Sequence, residues 1–412
     1  MTAADKFAPH VEAPPRQALA GVRVLEAGTL IAGPFAGRLL AEFGAEVIKV
    51  EAPGHPDPLR EWGLQRHNGH TLWWAVQSRN KKCITLDLRR DRGQALFREL
   101  ARRSDVVLEN FRPGTMERWG LGWEQLHAVN PGLIMARVSG YGQTGPLAHR
   151  GGFAAVAEAV GGLRYINGYP DEPPPRAGIS LGDSLAAMFA LQGILSALYW
   201  RDARGGEGQM VDVALTEASF SLLESAVPEY DLTGADREPQ GSTIGANVPS
   251  NIFCTRDRRW VVIAANMEGV FRRLMTVIGR PELADDERFS THTGRTAGKD
   301  ELEGAIGEWA RTLDADEIDR RLADAGVPCG PVNRISDIFR DRQFRARDML
   351  VEMHDEDLGD YVAPGVVPKL SATPGRLRWS GPPPGSHNRE VYGDLLGLDD
   401  GELSVLAREG IV

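Results

Sequence analysis

An α/β architecture, a parallel sheet covered by helices, is predicted for this chain by three features of its sequence. From Val22 onward, short apolar runs alternate with stretches of helical periodicity, the order that parallel strands and crossover helices require. The first run leads through Pro34, suited to the first turn of a helix, and Gly44, suited to a helix end, into a second run. The 412 residues, 42% hydrophobic and 25% charged, are also enough to bury a core of two-domain size.

Residues 22–26 form the predicted first strand, 34–43 the helix after it and 46–51 the second strand, which completes a β-α-β unit. Strands follow at 83–88, 106–110 and 133–138, with helices at 93–103 and 123–128 between them. Residues 185–200 are apolar almost all round, broken only by Gln192, Gly193 and Ser196, and read as a buried helix. A glycine turn at 205–208 then leads to a strand at 210–215 and a helix to about 225. The polar segment 231–244 reads as a linker into a smaller α+β domain at 245–335, with a hairpin turning at Arg256-Asp257-Arg258 and helices after it. One of these helices opens with Asp314 and Glu317 at capping-box spacing. Residues 336–412 carry an extended stretch marked by Pro364, Pro368, Pro374 and Pro382-Pro383-Pro384, and close with a short helix. Residues 1–18 are expected to be a loose tail, and 19–230 the large domain.

A formal charge of −10 offers no broad basic surface, so neither nucleic acid nor an anionic membrane is an expected partner. Any anionic ligand must be met by local cations. The three cysteines, Cys83, Cys254 and Cys329, lie far apart without a C-x-x-C pair, which argues against a disulfide framework or a thiolate zinc site and for a reducing cytoplasm. The N-terminus lacks the apolar run of a secretory signal, and no stretch reaches the roughly 18 continuous apolar residues of a membrane span. His67 and His70, the one close pair among nine histidines, have no further ligand set beside them, so no metal is expected.

The first β-α-β unit invites a dinucleotide reading, because its second strand ends in Glu51, about where an acid would meet a ribose hydroxyl. The glycines refuse it. Gly28, Gly33 and Gly37 stand five and four apart, whereas the fingerprint needs two and three for the backbone to approach a pyrophosphate.

Chemistry concentrates at Gly178-Ile179-Ser180-Leu181-Gly182-Asp183-Ser184, which presents two nucleophiles three positions apart. Ser180 satisfies the G-x-S-x-G pattern of a serine hydrolase, but that elbow needs a buried strand running into it, and Pro173, Pro174 and Pro175 deny one. Asp183 stands where an N-cap would stand, and a carboxylate at a helix N-terminus is favoured in its ionised form. An ionised carboxylate is a nucleophile toward an activated acyl group. Both readings of Asp183, cap and nucleophile, are compatible.

Several ordered blocks are similar to one family. Leu19-Ala20-Gly21-Val22-Arg23-Val24-Leu25, Ala32-Gly33-Pro34 and the run from Leu39 to Glu51 resemble the opening of the class III coenzyme A transferases, the family of formyl-CoA transferase and carnitine CoA transferase. Asn80-Lys81-Lys82, Asn110-Phe111-Arg112-Pro113-Gly114, the block from Gly140 to Pro146, Gly182-Asp183 and the closing Gly410-Ile411-Val412 follow in that family's order. The resemblance implies a Rossmann-like large domain, a smaller α+β domain, a C-terminal segment returning to the large domain, and an interlocked homodimer. It implies coenzyme A and acyl-CoA as substrates, with no tightly bound cofactor.

Asp183 matches the family's catalytic aspartate, which attacks the acyl-CoA thioester to give a mixed anhydride and then an aspartyl-CoA thioester. For CoA, the matching positions are Leu30, Ile31 and Ala32 along the pantetheine arm, and Lys81, Asn110, Phe111 and Arg118 nearer the nucleotide end; Tyr141 would reach the acyl group. The departures narrow the substrate. Ile31 stands where formyl-CoA transferases carry glutamine, and Gly245-Ala246-Asn247 where they have a longer glycine-rich flap, which speaks against oxalate. Racemases of the superfamily use a histidine near Gly152-Phe153, and Phe153 cannot move a proton. The chain looks most like the succinyl-CoA-dependent dicarboxylate transferases, for which Arg176 or Arg38 would meet the far carboxylate. An isomerase of the racemase type, a Ser180 hydrolase and a CoA-binding protein without turnover are the alternatives.

Overall fold

The computed structural model describes residues 17–245 and 247–412, so the tail expected at 1–18 lies almost wholly outside the described residues. The chain divides into two compact units. The first holds the described residues through Leu163, together with Arg176–Glu224 and Ala346–Val412. The second holds Arg164–Pro175 and Ser225–Arg345, wider than the expected 245–335. The stretch 231–244 is part of it rather than a linker. Gly168 and Gly241 pair as an isolated bridge, and the Tyr165 hydroxyl donates to Glu238 at 2.8 Å.

In the first unit, β1 (Arg23–Glu26), α1 (Ala32–Glu42), β2 (Glu46–Glu51), β3 (Lys81–Thr85), α2 (Asp91–Arg102), β4 (Val106–Glu109), α3 (Trp123–Val129) and β5 (Ile134–Ser139) follow one another. Then come α4 (Ala154–Val160), α5 (Leu181–Arg204), β6 (Met210–Ala214) and α6 (Leu215–Phe220). The six strands form one sheet in the order β3-β2-β1-β4-β5-β6, every neighbouring pair parallel. Side chains alternate across it, as a period of two requires. Val24, Val47, Val106 and Ile134 face α1 and α5; Leu25, Ile48, Val107 and Met135 face Phe97 and Leu100 of α2.

The glycines that failed the dinucleotide fingerprint have a packing reason. A Cβ on Gly37 would collide with the carboxylate of Glu26, which is fully buried on β1, so glycine lets α1 lie against the strand.

α5 corrects the expectation of a helix buried all round. Ala186, Ala187, Ala190, Ile194 and Ala197 pack on the sheet side, while Met188, Leu195, Tyr199 and Trp200 are exposed in the chain. By length and composition α5 could cross a bilayer, yet its inner face belongs to the core.

The second unit is built on β7 (Ser250–Cys254), β8 (Trp260–Ala264), α7 (Glu268–Val277), α8 (Lys299–Ala310), α9 (Ala315–Asp324) and β9 (Cys329–Pro331). β7 and β8 are the expected antiparallel hairpin, with Arg258 in the left-handed region at its turn. The capping box predicted at α9 does not form. Asp314 takes the N-cap position, but its carboxylate binds Arg256 at 2.8 and 2.9 Å, and Glu317 binds Arg320 and Arg321. Back in the first unit, β10 (Leu350–Asp355) and β11 (Gly359–Pro364) form a hairpin that the sequence reading did not resolve. α10 (Asn388–Leu396) and α11 (Asp400–Arg408) place Val391, Tyr392 and Leu406 on the α2 side of the large sheet.

Candidate active site

A parallel sheet with this strand order opens a crevice where connections leave adjacent strands toward opposite faces, here at the carboxyl ends of β1 and β4. A cavity of about 190 Å³ lies there. Thr29, Leu30, Ile31 and Ala32 line it after β1, and Asn110, Phe111, Arg112 and Pro113 after β4. Trp62, Gly140, Arg150, Gly152, Phe153, Leu215 and Asp183 also line it. Gly140 and Gly152 lie backbone against backbone, so that a Cβ on either would sit within 2.8 Å of the other's Cα. Only glycine permits that approach.

Asp183 is in the first turn of α5 rather than at its cap: Ser180 holds the N-cap position, without a side-chain bond to the helix. The expectation that the helix end would keep Asp183 readily ionised is also overturned. Its pKa is raised to about 6, first by burial and then by the facing carboxylate of Glu158, with Arg176 opposing both. The helix end contributes at most about 2 kcal/mol, less than desolvation and a like charge can exert. Glu158, 3% exposed on α4, accepts the backbone N–H of Gly182 at 3.1 Å. A carboxylate of raised pKa that is still mostly ionised at neutral pH is a stronger nucleophile than an ordinary one.

Ser180 lacks the setting of a hydrolase nucleophile. No strand precedes it, its carbonyl accepts from the backbone and hydroxyl of Ser184, and none of the cavity-lining residues is a histidine. Phe153 at the cavity likewise brings no proton-transfer group.

The residues expected to bind CoA divide. Leu30, Ile31, Ala32, Asn110 and Phe111 all line the Asp183 cavity. Lys81 does not: it is fully buried, donating to Glu26 at 3.0 Å and to the carbonyl of Pro34 at 2.7 Å, so its ammonium cannot reach a phosphate. Burial lowers its pKa, Glu26 raises it and Lys49 lowers it again, with a net fall. Arg118 is exposed, bonded to the Thr115 hydroxyl at 3.0 Å, and lies outside the cavity lining. Tyr141 stands behind the wall, its ring edge near Gly152 and its hydroxyl buried without a hydrogen-bond partner. Arg38 is committed to Glu42 at 2.7 Å and Gln77 at 3.2 Å, which removes it as a partner for a substrate carboxylate.

Glu158, Arg150 and Trp62 escaped the sequence reading, and Arg112 entered it only inside a family block, without a role. Glu158 had a signal, a lone carboxylate in the otherwise apolar helix Ala154–Val160. A second cavity of about 610 Å³ adjoins the first, sharing Thr29 and Phe111, with Asp57, Arg60, Leu86, Arg89 and Trp119 also in its wall.

A half-buried carboxylate of raised pKa thus stands at the switch-point crevice of a doubly wound sheet, beside a glycine-bounded cavity and without a dinucleotide fold's glycine loop. The chain belongs to CoA-transferase family III, whose profile matches residues 19–388, and it is an enzyme of that class. It is similar to succinyl-CoA–D-citramalate CoA-transferase of Chloroflexus aurantiacus, with 52% identity over 97% of this chain and 99% of that protein. It is also similar to the alpha subunit of succinyl-CoA–L-malate CoA-transferase of Chloroflexus aurantiacus, 44% identical over 96% of this chain and 92% of the relative. Among solved structures, a CAIB/BAIF family protein from Brucella suis superposes with a TM-score of 0.82 at 32% identity, covering 92% of this chain and all of that one.

Proposed function

We propose that this enzyme moves coenzyme A from a succinyl-type thioester to a dicarboxylic acid, with Asp183 as nucleophile. The observation that carries the reading is Asp183 itself, a partly buried carboxylate facing the crevice with its pKa raised by burial and Glu158. Its oxygen attacks the thioester carbonyl carbon, the C–S bond breaks with its electron pair on sulfur, and a mixed anhydride and CoA thiolate result. The thiolate attacks the Asp183 carbonyl, the donor leaves as its carboxylate, and an aspartyl-CoA thioester remains. The acceptor carboxylate attacks that thioester, and the released thiolate then takes the acceptor acyl group from the second anhydride. No net proton is needed in either half. Burial of the site protects the anhydrides from water.

The pantetheine arm lies along Leu30, Ile31 and Ala32, and the larger adjoining cavity takes the nucleotide end. With Lys81 buried, exposed cations such as Arg112, Arg89 and Arg118 are left to meet phosphates. Arg176 meets the far carboxylate of the acid, supported by its electrostatic action on Asp183. The dicarboxylate preference is supported by the names of the two Chloroflexus relatives. The exposed apolar face of α5 supports a homodimer, interlocked as the family resemblance implies. The three free cysteines fit a cytoplasmic setting.

Incubation with succinyl-CoA and hydroxylamine tests the reading. A hydroxamate on the peptide containing Asp183, found by mass spectrometry and absent in Asp183→Ala, is the expected result. Loss of turnover in Ser180→Ala with Asp183→Ala active would refute it.

A further inference from the structure

The turn between β1 and α1 is held in a conformation that its own sequence disfavours. Leu30 has φ 63°, in the left-handed region where a residue with a branched side chain rarely rests. Such a backbone persists only where its surroundings over-determine it. Here they do. The Leu30 N–H donates to both carboxylate oxygens of Asp57, at 3.0 and 3.2 Å. Asp57 is 3% exposed and also accepts from Lys49 Nζ at 2.8 Å and from the Leu59 N–H at 2.9 Å. Lys49, fully buried on β2, donates as well to the carbonyl of Gly28. From the other side, Asn110 accepts the Thr29 N–H at 2.7 Å and donates to the Thr29 carbonyl at 2.8 Å. Successive backbone groups of Gly28, Thr29 and Leu30 are thus all held by side chains, those of Lys49 and Asp57 buried and that of Asn110 half-buried.

Burial opposes charge on both members of the Lys49–Asp57 pair, but their mutual attraction, with Glu26 helping on the lysine side, keeps Lys49 above and Asp57 below their ordinary pKa values. Both stay ionised at neutral pH. A buried charge pair of this kind is a poor way to gain stability, because desolvation consumes much of the attraction. It is a good way to fix geometry. The turn it fixes lines the Asp183 cavity from Thr29 to Ala32, and Asp57 itself lines the adjoining one.

We propose that Lys49 and Asp57 are positioning residues that lock Leu30 in its left-handed turn so that the Thr29–Ala32 segment is preformed for the pantetheine arm. The inference rests on the CoA-binding reading of that segment. Preformation spares the ordering cost at binding, so its loss falls on acyl-CoA affinity and leaves the chemistry of Asp183 intact.

Asp57→Asn, which keeps an acceptor for Leu30 but removes the charge that holds Lys49, is the test variant. Steady-state kinetics with succinyl-CoA should show KM for the thioester raised about tenfold or more with kcat within about threefold. Amide hydrogen exchange of the peptide spanning Thr29–Ala32, measured without any ligand, should speed up by a similar factor. In a Leu30→Gly background, where a positive φ needs no tether, the effect of Asp57→Asn on KM should shrink to less than about threefold. A merely structural role would lower the active fraction and kcat and leave KM and the coupling unmoved. If Asp57→Asn is insoluble, Lys49→Met/Asp57→Asn, which leaves no lone ion of the pair, is measured in the same way. Unchanged KM, or faster exchange with unchanged KM, overturns the proposal. A wild-type enzyme that neither turns over nor binds CoA would instead overturn the functional reading on which it rests.

Discussion

Asp183 is placed where reactivity and stability pull against each other. Because its pKa rises from 3.8 to about 6 on folding, the folded chain binds a proton there more tightly than the unfolded chain between those values. The stabilisation is full below the unfolded value and is lost as pH rises through the folded one. Asp183→Asn should therefore stabilise the protein by about 2 kcal/mol at pH 7, allowing for partial exposure, with the gain vanishing near pH 4. Thermal melts across that range measure it, and abolished turnover should accompany the gain. In the active enzyme, kcat/KM should fall on the acid side with an apparent pKa near 6. Glu158→Gln, removing a facing charge, should move that limb about one pH unit lower. Arg176→Ala, removing an opposing cation, should move it higher and raise KM roughly tenfold for the acid and also for succinyl-CoA, whose far carboxylate would occupy the same place. Of these three residues, Asp183 was singled out by family order, and Arg176, with Arg38 as the alternative, by the needs of a diacid. Glu158 lies 25 positions upstream of Asp183 on a different helix, and a distance created by folding leaves no local pattern. Lys81 failed for the opposite reason. A lysine's type announces a phosphate, whereas its buried pairing with Glu26 exists only once β1 and α1 enclose it.

At the scale of elements, most strands of the large sheet were legible from apolar residues recurring inside an α/β alternation, although β3, expected at 83–88, runs over Lys81–Thr85. β2 falls on residues 46–51 as expected, and β1, β4 and β5 within one residue at either end. The β10–β11 hairpin was not legible. Its strands are mostly half-exposed, with polar residues throughout, so no apolar run marked them. α5 shows where periodicity misleads: apolar residues on every side announce burial without saying what buries them. One face of that helix meets the sheet of its own chain, and Met188, Leu195, Tyr199 and Trp200 on the other are exposed. Replacing Tyr199 and Trp200 by Lys should leave the sheet-facing side intact and convert an assembly to single chains of 44.9 kDa, as read by light scattering after gel filtration. A wild-type chain already monomeric under the same conditions would contradict the homodimer.

At the scale of the whole molecule, the Asp183 cavity lies where doubly wound sheets place ligands, at the ends of the strands on either side of the order reversal. Its glycines serve a different purpose from those of a dinucleotide fold, admitting α1 against a buried charge cluster and bringing Gly140 against Gly152 beside Asp183. The crevice was only partly legible beforehand, since residues 29–32, 110–113, 150–153 and 183 meet through topology rather than spacing. One measurement tests directly whether Asp183 is the nucleophile. In the anhydride route, each acceptor carboxylate leaves one of its oxygens on the aspartate when its acyl group passes to CoA. An acceptor acid labelled with heavy oxygen in its carboxylates, turned over with succinyl-CoA, should put the label into the peptide containing Asp183 and into no other peptide. Sustained turnover with an unlabelled Asp183 would contradict covalent catalysis by that residue.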